Sequence, residues 1–285
     1  MLTEINKELT SQALELTHIL VAVHPKEAKA HAMYGDFLFR EGKMKEAQQA
    51  FRSTVKLDNS KFLVWSQLLQ VDYNLSDYEG LLSESNEALE LFPTQSLVYL
   101  FNGIANMQLK KYDDAISILN SGVAYAKKDK QLSSQFYSSL GDAYNFVKKH
   151  SESDAAYEKA LEIDPTNATV LNNYAYYLSL RKERMDKAEE MSRKSNELEP
   201  NNASFEDTYG WIMYQQGKYK EAEMWVAKAL KSSKNPSGVE YEHYGDVLWK
   251  LGETEKAKEF WNKAKVAGNG SDLLERKVNE GKLVE

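Results

Sequence analysis

The sequence contains no cysteine, which excludes disulfides, thiolate metal sites and cysteine nucleophiles. It has no apolar run of the ~18 residues that a membrane-spanning helix needs, and the opening stretch MLTEINKELT lacks the apolar h-region of a signal peptide. Direct membrane insertion is therefore not expected. Cations are in short supply: 36 Lys and Arg stand against 43 Asp and Glu, a formal charge of −7. A nucleic-acid binder draws much of its affinity from cations that neutralise phosphates, so that class is set aside. Proline is scarce, with five in 285 residues. What remains, 42% hydrophobic and 28% charged residues, is an ordinary globular mix on a chain long enough for one large domain or two.

The scarce residues are regularly placed. Pro25, Pro93, Pro165, Pro200 and Pro236 are separated by 68, 72, 35 and 36 positions, which are multiples of a unit near 34. A second ruler agrees: Gly35, Gly103, Gly141, Gly210 and Gly245 lie 68, 38, 69 and 35 apart. A period near 34 is the signature of a helix–turn–helix repeat. On that period the chain divides into seven repeats: 28–61, 62–95, 96–133, 134–167, 168–202, 203–237 and 238–271.

Each repeat reads as two helices. The first carries a small residue at its eighth position, Gly35, Gly103, Gly141, Ala175, Gly210 or Gly245, and the second repeat breaks the pattern with Leu69. The second helix carries Ala47, Ala115, Ser153, Ala188, Ala222 or Ala257 near its start, again with an exception at Leu81. Small side chains at a contact let two helices approach closely. Gly42, Gly217 and Gly252 fall between the helices, where C-capping glycines belong, and the prolines close the second helices.

The stretches 141–165, 209–230 and 244–264 (GDAYNFVKKHSESDAAYEKALEIDP, YGWIMYQQGKYKEAEMWVAKAL and YGDVLWKLGETEKAKEFWNKA) resemble the tetratricopeptide repeat family. The resemblance extends over roughly residues 8–271, and the segment 172–202 is similar in style to bacterial, Bacteroidetes-like members. It implies an all-α, right-handed superhelical solenoid of antiparallel helix pairs. Residues 8–27 have the pattern of a second helix, with Ala13 and Pro25 in register, whose first-helix partner is missing or reduced to residues 1–7. Residues 1–27 thus form an N-terminal half-repeat whose open apolar stripe allows self-association. Residues 272–285 are expected to form a capping helix that covers the last repeat with Leu273, Leu274 and Val278.

No catalytic constellation stands out. His18, His24, His31, His150 and His243 contain no i, i+4 zinc pair, and no P-loop, GxGxxG or GxSxG pattern occurs. His243 reads as a polar surface residue. The expectation is a chain without catalysis, cofactor or metal.

A helical-repeat solenoid offers an extended concave surface instead, lined in this family by the first helices. Read by periodicity, the candidate partner-binding residues on that face are Phe39, Tyr73, Asn145, Phe146, Asn173, Tyr176, Asp207, Trp211, Tyr214, Glu242, Asp246 and Trp249. Trp211, Tyr214 and Trp249 are expected to be open to the groove, whereas the apolar set from Leu97 to Ile104 is expected to pack internally. Aromatics and amides supply contact area and adaptable hydrogen bonds at recognition surfaces. The face carries more acids than bases, the latter being Lys29, Arg40 and Lys250, so a basic or neutral peptide suits it. The lysine and asparagine set with which some family members clamp a terminal carboxylate does not recur across adjacent repeats.

The function expected is a non-catalytic scaffold that holds a peptide or partner protein in an aromatic, mildly acidic groove. The alternative is a helical regulatory or assembly arm of a larger multidomain or secretion- or envelope-associated protein. Location stays open between the cytoplasm and, given an export signal upstream, the periplasm.

Overall fold

The computed structural model describes residues 2–285, with side chains from residue 9 onward. Sixteen helices and no strand occur among the described residues. After α1 (Leu2–Val23) come α2 (Ala28–Arg40) and α3 (Met44–Leu57), α4 (Phe62–Leu75) and α5 (Tyr78–Leu91), then α6 (Ser96–Gln108) and α7 (Tyr112–Ala126). These are followed by α8 (Lys130–Phe146) and α9 (His150–Ile163), α10 (Ala168–Arg181) and α11 (Met185–Leu198), and α12 (Ala203–Gln215) and α13 (Tyr219–Ser232). The series ends with α14 (Gly238–Lys250), α15 (Thr254–Ala267) and the short α16 (Leu274–Glu280). The helical backbone of α1 is continuous from Leu2, so no separate helix occupies residues 2–7; Met1 lies outside the described residues. The chain forms two compact bodies, Met1–Ala156 and Tyr157–Glu285, divided within α9.

The turn inside each helix pair is the most regular feature. Gly42, Ser76, Lys110, Lys148, Lys182, Gly217 and Gly252 all take positive φ, at intervals of 34, 34, 38, 34, 35 and 35 residues. This left-handed step reverses the chain so that the second helix packs back on the first. Only three of the seven positions carry the glycine that makes the step easy, which is why composition reveals just those three.

Close approach within the pairs rests on missing side-chain atoms. Gly35 sits against the Phe51 ring, Gly103 against Leu119, Gly210 against Val226 and Gly245 against Trp261. Phe51, Leu119, Val226 and Trp261 are fully buried. The apolar set of α6 packs inward as expected, with Leu100 and Phe101 buried. Within each body, successive first helices touch: α4 meets α6 and α6 meets α8, as α10 meets α12 and α12 meets α14. Among the described residues successive second helices make no comparable contact, so each body curves towards its first helices.

One polar cluster lies between helices of the first body. Gln48 donates to Asp72 at 2.6 Å, and Arg52 reaches Asp77 at 3.0 Å and Glu84 at 2.5 Å. Asp72 is fully buried. Burial first, and then the adjoining Glu84 carboxyl, push the Asp72 carboxyl from the ordinary 3.8 up to about 9.

Two outcomes follow from this packing. A Cβ on Gly210 would stand 2.5 Å from Val226 Cγ2 and 3.0 Å from the Val226 backbone nitrogen, which cannot rotate away. Gly210→Leu should therefore cost ~1–3 kcal/mol by overpacking, read as a lowered melting temperature in circular dichroism. For Asp72 the native state holds a proton that the unfolded chain releases above about pH 4. Its raised pKa makes stability fall as pH rises from there towards 9. Asp72→Asn should flatten that decline in denaturant titrations, with the largest gain over wild type at the alkaline end.

Candidate functional site

The first helices of the second body bring half of the expected residues into one cluster. From α12 come Asp207, Trp211 and Tyr214; from α14 come Glu242, His243 and Asp246; Tyr176 joins from α10. Trp211 stacks on His243 at 4.0 Å between ring centroids and on Tyr214 at 4.7 Å. Tyr176 lies 6.4 Å from the His243 ring. His243 Nδ1 bonds to Asp207 Oδ2 at 2.8 Å, joining the two helices.

Exposure differs from the sequence expectation. Trp211 and Tyr214 are only 9% and 4% exposed, and Trp249 is half-buried beside Trp261. The reason is that the neighbouring first helix closes over them: His243 covers the Trp211 ring, while Glu285 accepts a hydrogen bond from the Tyr214 hydroxyl at 2.5 Å. His243 itself, expected on the surface, is buried. Asn173 and Tyr176 are partly exposed. In the first body, Tyr73 and Phe146 are exposed at 42% and 50%, and Phe146 stacks flat on Tyr112. Phe39 is half-buried against the core around Leu38 and Phe51, and Asn145 is half-buried on α8.

The acids of the cluster are answered from within the chain. Lys277, on α16, is buried with its ammonium 2.7 Å from Glu242 Oε1 and 2.6 Å from Asp246 Oδ2. Ser271 donates to Glu242 through its backbone N–H and its hydroxyl, and Trp261 Nε1 donates to Asp246 Oδ1. Burial alone would raise the Glu242 carboxyl, but the bonds from Lys277 and Ser271 hold it below the usual range. Asp246, more deeply buried, is pushed up to about 6 even with Lys277 opposing. The acidic surplus expected to favour a basic or neutral partner is thus largely consumed by Lys277 and His243. Periodicity overlooked Lys277, although it lies three and four positions after Leu274 and Leu273, on the face that α16 buries.

Segment 281–285 runs over this cluster. Glu285 Oε2 accepts from Lys250 at 2.9 Å while its other oxygen takes the Tyr214 hydroxyl. Burial would raise the Glu285 carboxyl, yet these two donors hold it below the usual range; Tyr214 is raised by burial and by the same bond. Asn172 Oδ1, Asp207 Oδ1 and Trp211 Nε1 are buried without a hydrogen-bond partner, each an unmet group of the kind that costs ~1–3 kcal/mol. Among the described residues no group of three or more metal-ligating side chains is placed to hold an ion, and no helix is long and apolar enough to cross a membrane.

Paired helices on a period near 34, left-handed turns between them and small residues at the crossings define an α-helical repeat protein. Three tetratricopeptide repeat family models match it, over residues 6–61, 134–167 with 241–265, and 156–190. The chain carries tetratricopeptide repeats over those stretches. A TPR repeat-containing protein of Pseudomonas aeruginosa is 38% identical over 68 residues, which are 24% of this chain and 12% of that protein. Tetratricopeptide repeat protein 6 of Homo sapiens is 25% identical over 178 residues, 60% of this chain and 31% of the relative. The chain therefore spans less than a third of the length of either relative.

Solved structures agree on the fold. A tetratricopeptide repeat protein from Parabacteroides merdae superposes with a TM-score of 0.71 at 13% identity, covering 89% of this chain and 98% of that one. Yeast Tom70 gives 0.64 at 16% identity, covering 96% of this chain and 58% of Tom70. The Cut9–Hcn1 hetero-tetramer of the APC/C gives 0.67 at 14% identity, covering 90% and 50%. The tetratricopeptide fold is that of a protein-interaction scaffold.

The His243 pair generates a pH dependence. Burial opposes the charged imidazole, but Asp207, Asp246 and Glu242 outweigh it and carry the pKa above the ordinary 6.5. A raised histidine stabilises fully below the unfolded value and loses that contribution as pH rises through the folded value. Tyr176 from α10 adjoins the ring, its hydroxyl pushed up to about 12 by burial, and Lys277 from α16 meets Glu242 and Asp246. The pair should therefore add to the fall of stability with pH above about 6.5, and His243→Gln should make that slope shallower in chemical denaturation measured at a series of pH values.

Proposed function

We propose that the chain is a non-catalytic scaffold that holds a peptide or a segment of a partner protein along its first helices. The observation that carries this reading is the set of side chains these helices leave accessible. Tyr73 and Phe146 are exposed on the first body; Asn173, Tyr176 and Trp249 remain partly open on the second. Aromatic rings beside amides give large contact area at low conformational cost, the composition of a recognition surface. The pairing of His243 with Asp207 argues against a reactive histidine, because its ring is stacked beneath Trp211 rather than presented to a cavity.

A second reading, a helical arm of a larger assembly, is supported by the relatives being several times longer than the stretches they share with this chain. In either case the first helices are the contact face. Self-association through residues 1–27 draws support from Leu9, Leu16, Ile19 and Val23, which are all exposed on α1.

The full chain immobilised in lysate of its source organism, with retained proteins read by mass spectrometry, tests the scaffold. Tyr73→Ala with Phe146→Ala, and separately Trp249→Ala, are the comparison variants; the first two residues are exposed, so truncation there leaves the core intact. A protein held by wild type and lost by either variant supports first-helix binding. Equal retention by all three would move the contact to the second helices and overturn the groove.

A further inference from the structure

The segment after α16 behaves as a ligand that the chain supplies to itself. α16 ends at Gly281, whose φ of +60° reverses the chain. Leu283 then packs against the buried cluster of Leu248, Ala257, Trp261, Ala264 and Leu274, which Trp249 also adjoins. Two positions on, Glu285 spreads its carboxylate between the Tyr214 hydroxyl on α12 and the Lys250 ammonium at the end of α14. Lys182, exposed at the end of α10, adds a further favourable charge. One apolar and one acidic side chain of the segment thus engage the second body together. Among the described residues no backbone–backbone hydrogen bond outside the helices involves residues 282–285. The attachment therefore rests on side chains, Leu283 and Glu285 among them.

The charge balance points the same way. Glu242, Asp246 and Asp207 are matched by Lys277 and His243. The cations left facing the end of this groove are Lys250 and Lys182, and the group they meet is a carboxylate.

We propose that segment 281–285 holds the place of a partner, and that the first helices of the second body take an extended peptide carrying an apolar residue followed, two positions later, by a carboxylate. This rests on the groove reading and narrows it: the apolar side chain enters against the cluster around Leu248 and Trp261, and the carboxylate bridges Tyr214 and Lys250. A tether of a few residues gives an effective concentration on the order of millimolar, so two modest anchors keep the segment seated. A partner that makes further contacts along α10 and α12 displaces it.

The probe is a fluorescein-labelled peptide matching residues 279–285, titrated by fluorescence anisotropy into full-length chains. The carriers are wild type, Glu285→Gln, Leu283→Ser with Glu285→Gln, and that double variant with Lys250→Met added. Opening the segment should tighten peptide binding at least ~10-fold in the double variant, since the tethered competitor is removed. Glu285→Gln alone, at a half-exposed side chain that leaves folding undisturbed, should give a smaller gain of the same sign. Lys250→Met, or a peptide ending in Gln, should abolish the gain. Equal affinity for wild type and both opened chains would overturn the proposal, as would undiminished binding of the Gln peptide. Those results would leave the capture experiment above standing, whereas loss of first-helix capture with normal peptide binding would sink the scaffold reading alone.

Discussion

The fold depends on one steric condition repeated along the chain: where the helices of a pair cross, one of them has almost no side chain. A bulky residue from the second helix presses into the space left by a glycine or alanine on the first, and the two positions lie sixteen residues apart: Gly35 with Phe51, Gly103 with Leu119, Gly210 with Val226, Gly245 with Trp261. Ala175 and Met191 have the same spacing and are both buried. The second repeat, which departs from the sequence pattern at Leu69, obeys the condition in reverse. Its residue sixteen positions later is Ser85, and both are fully buried. Here the large residue stands on the first helix and the small one on the second.

This explains which parts of the architecture were legible. A glycine or proline acts through the backbone and leaves a mark at one position, so the 34-residue period, the C-capping glycines and the helix ends could be read directly. Left-handed turns at Ser76, Lys110, Lys148 and Lys182 left no such mark. Those residues take positive φ because the packing of the flanking helices sets it, at a cost that tertiary contacts offset.

The candidate site was legible to a different depth. Helical periodicity selected residues that do converge, Tyr176, Asp207, Trp211, Tyr214, Glu242 and Asp246, because it reports which face of a helix a side chain occupies. It carries no information about what lies over that face. His243 from the next helix and Glu285 from beyond α16 cover Trp211 and Tyr214, and both are distant in sequence. The formal charge misled for the same reason. It counts Glu242 and Asp246 as open acids, whereas Lys277 lies buried between them.

That buried ion group does more than neutralise. Lys277 lies within 2.7 Å of a carboxylate oxygen on Glu242 and on Asp246, one helical turn apart on α14. Two buried carboxylates and one ammonium gain little net stability over apolar packing, but removing Lys277 leaves uncompensated buried charge that costs ~3–5 kcal/mol. Sliding α16 by a turn along α14 would strand one of the acids in that way. The ion group therefore sets where α16 seats, and through Gly281 it sets where segment 281–285 meets the inner face. The chemistry at Tyr214 and Lys250 is thus positioned by a lysine that touches neither residue.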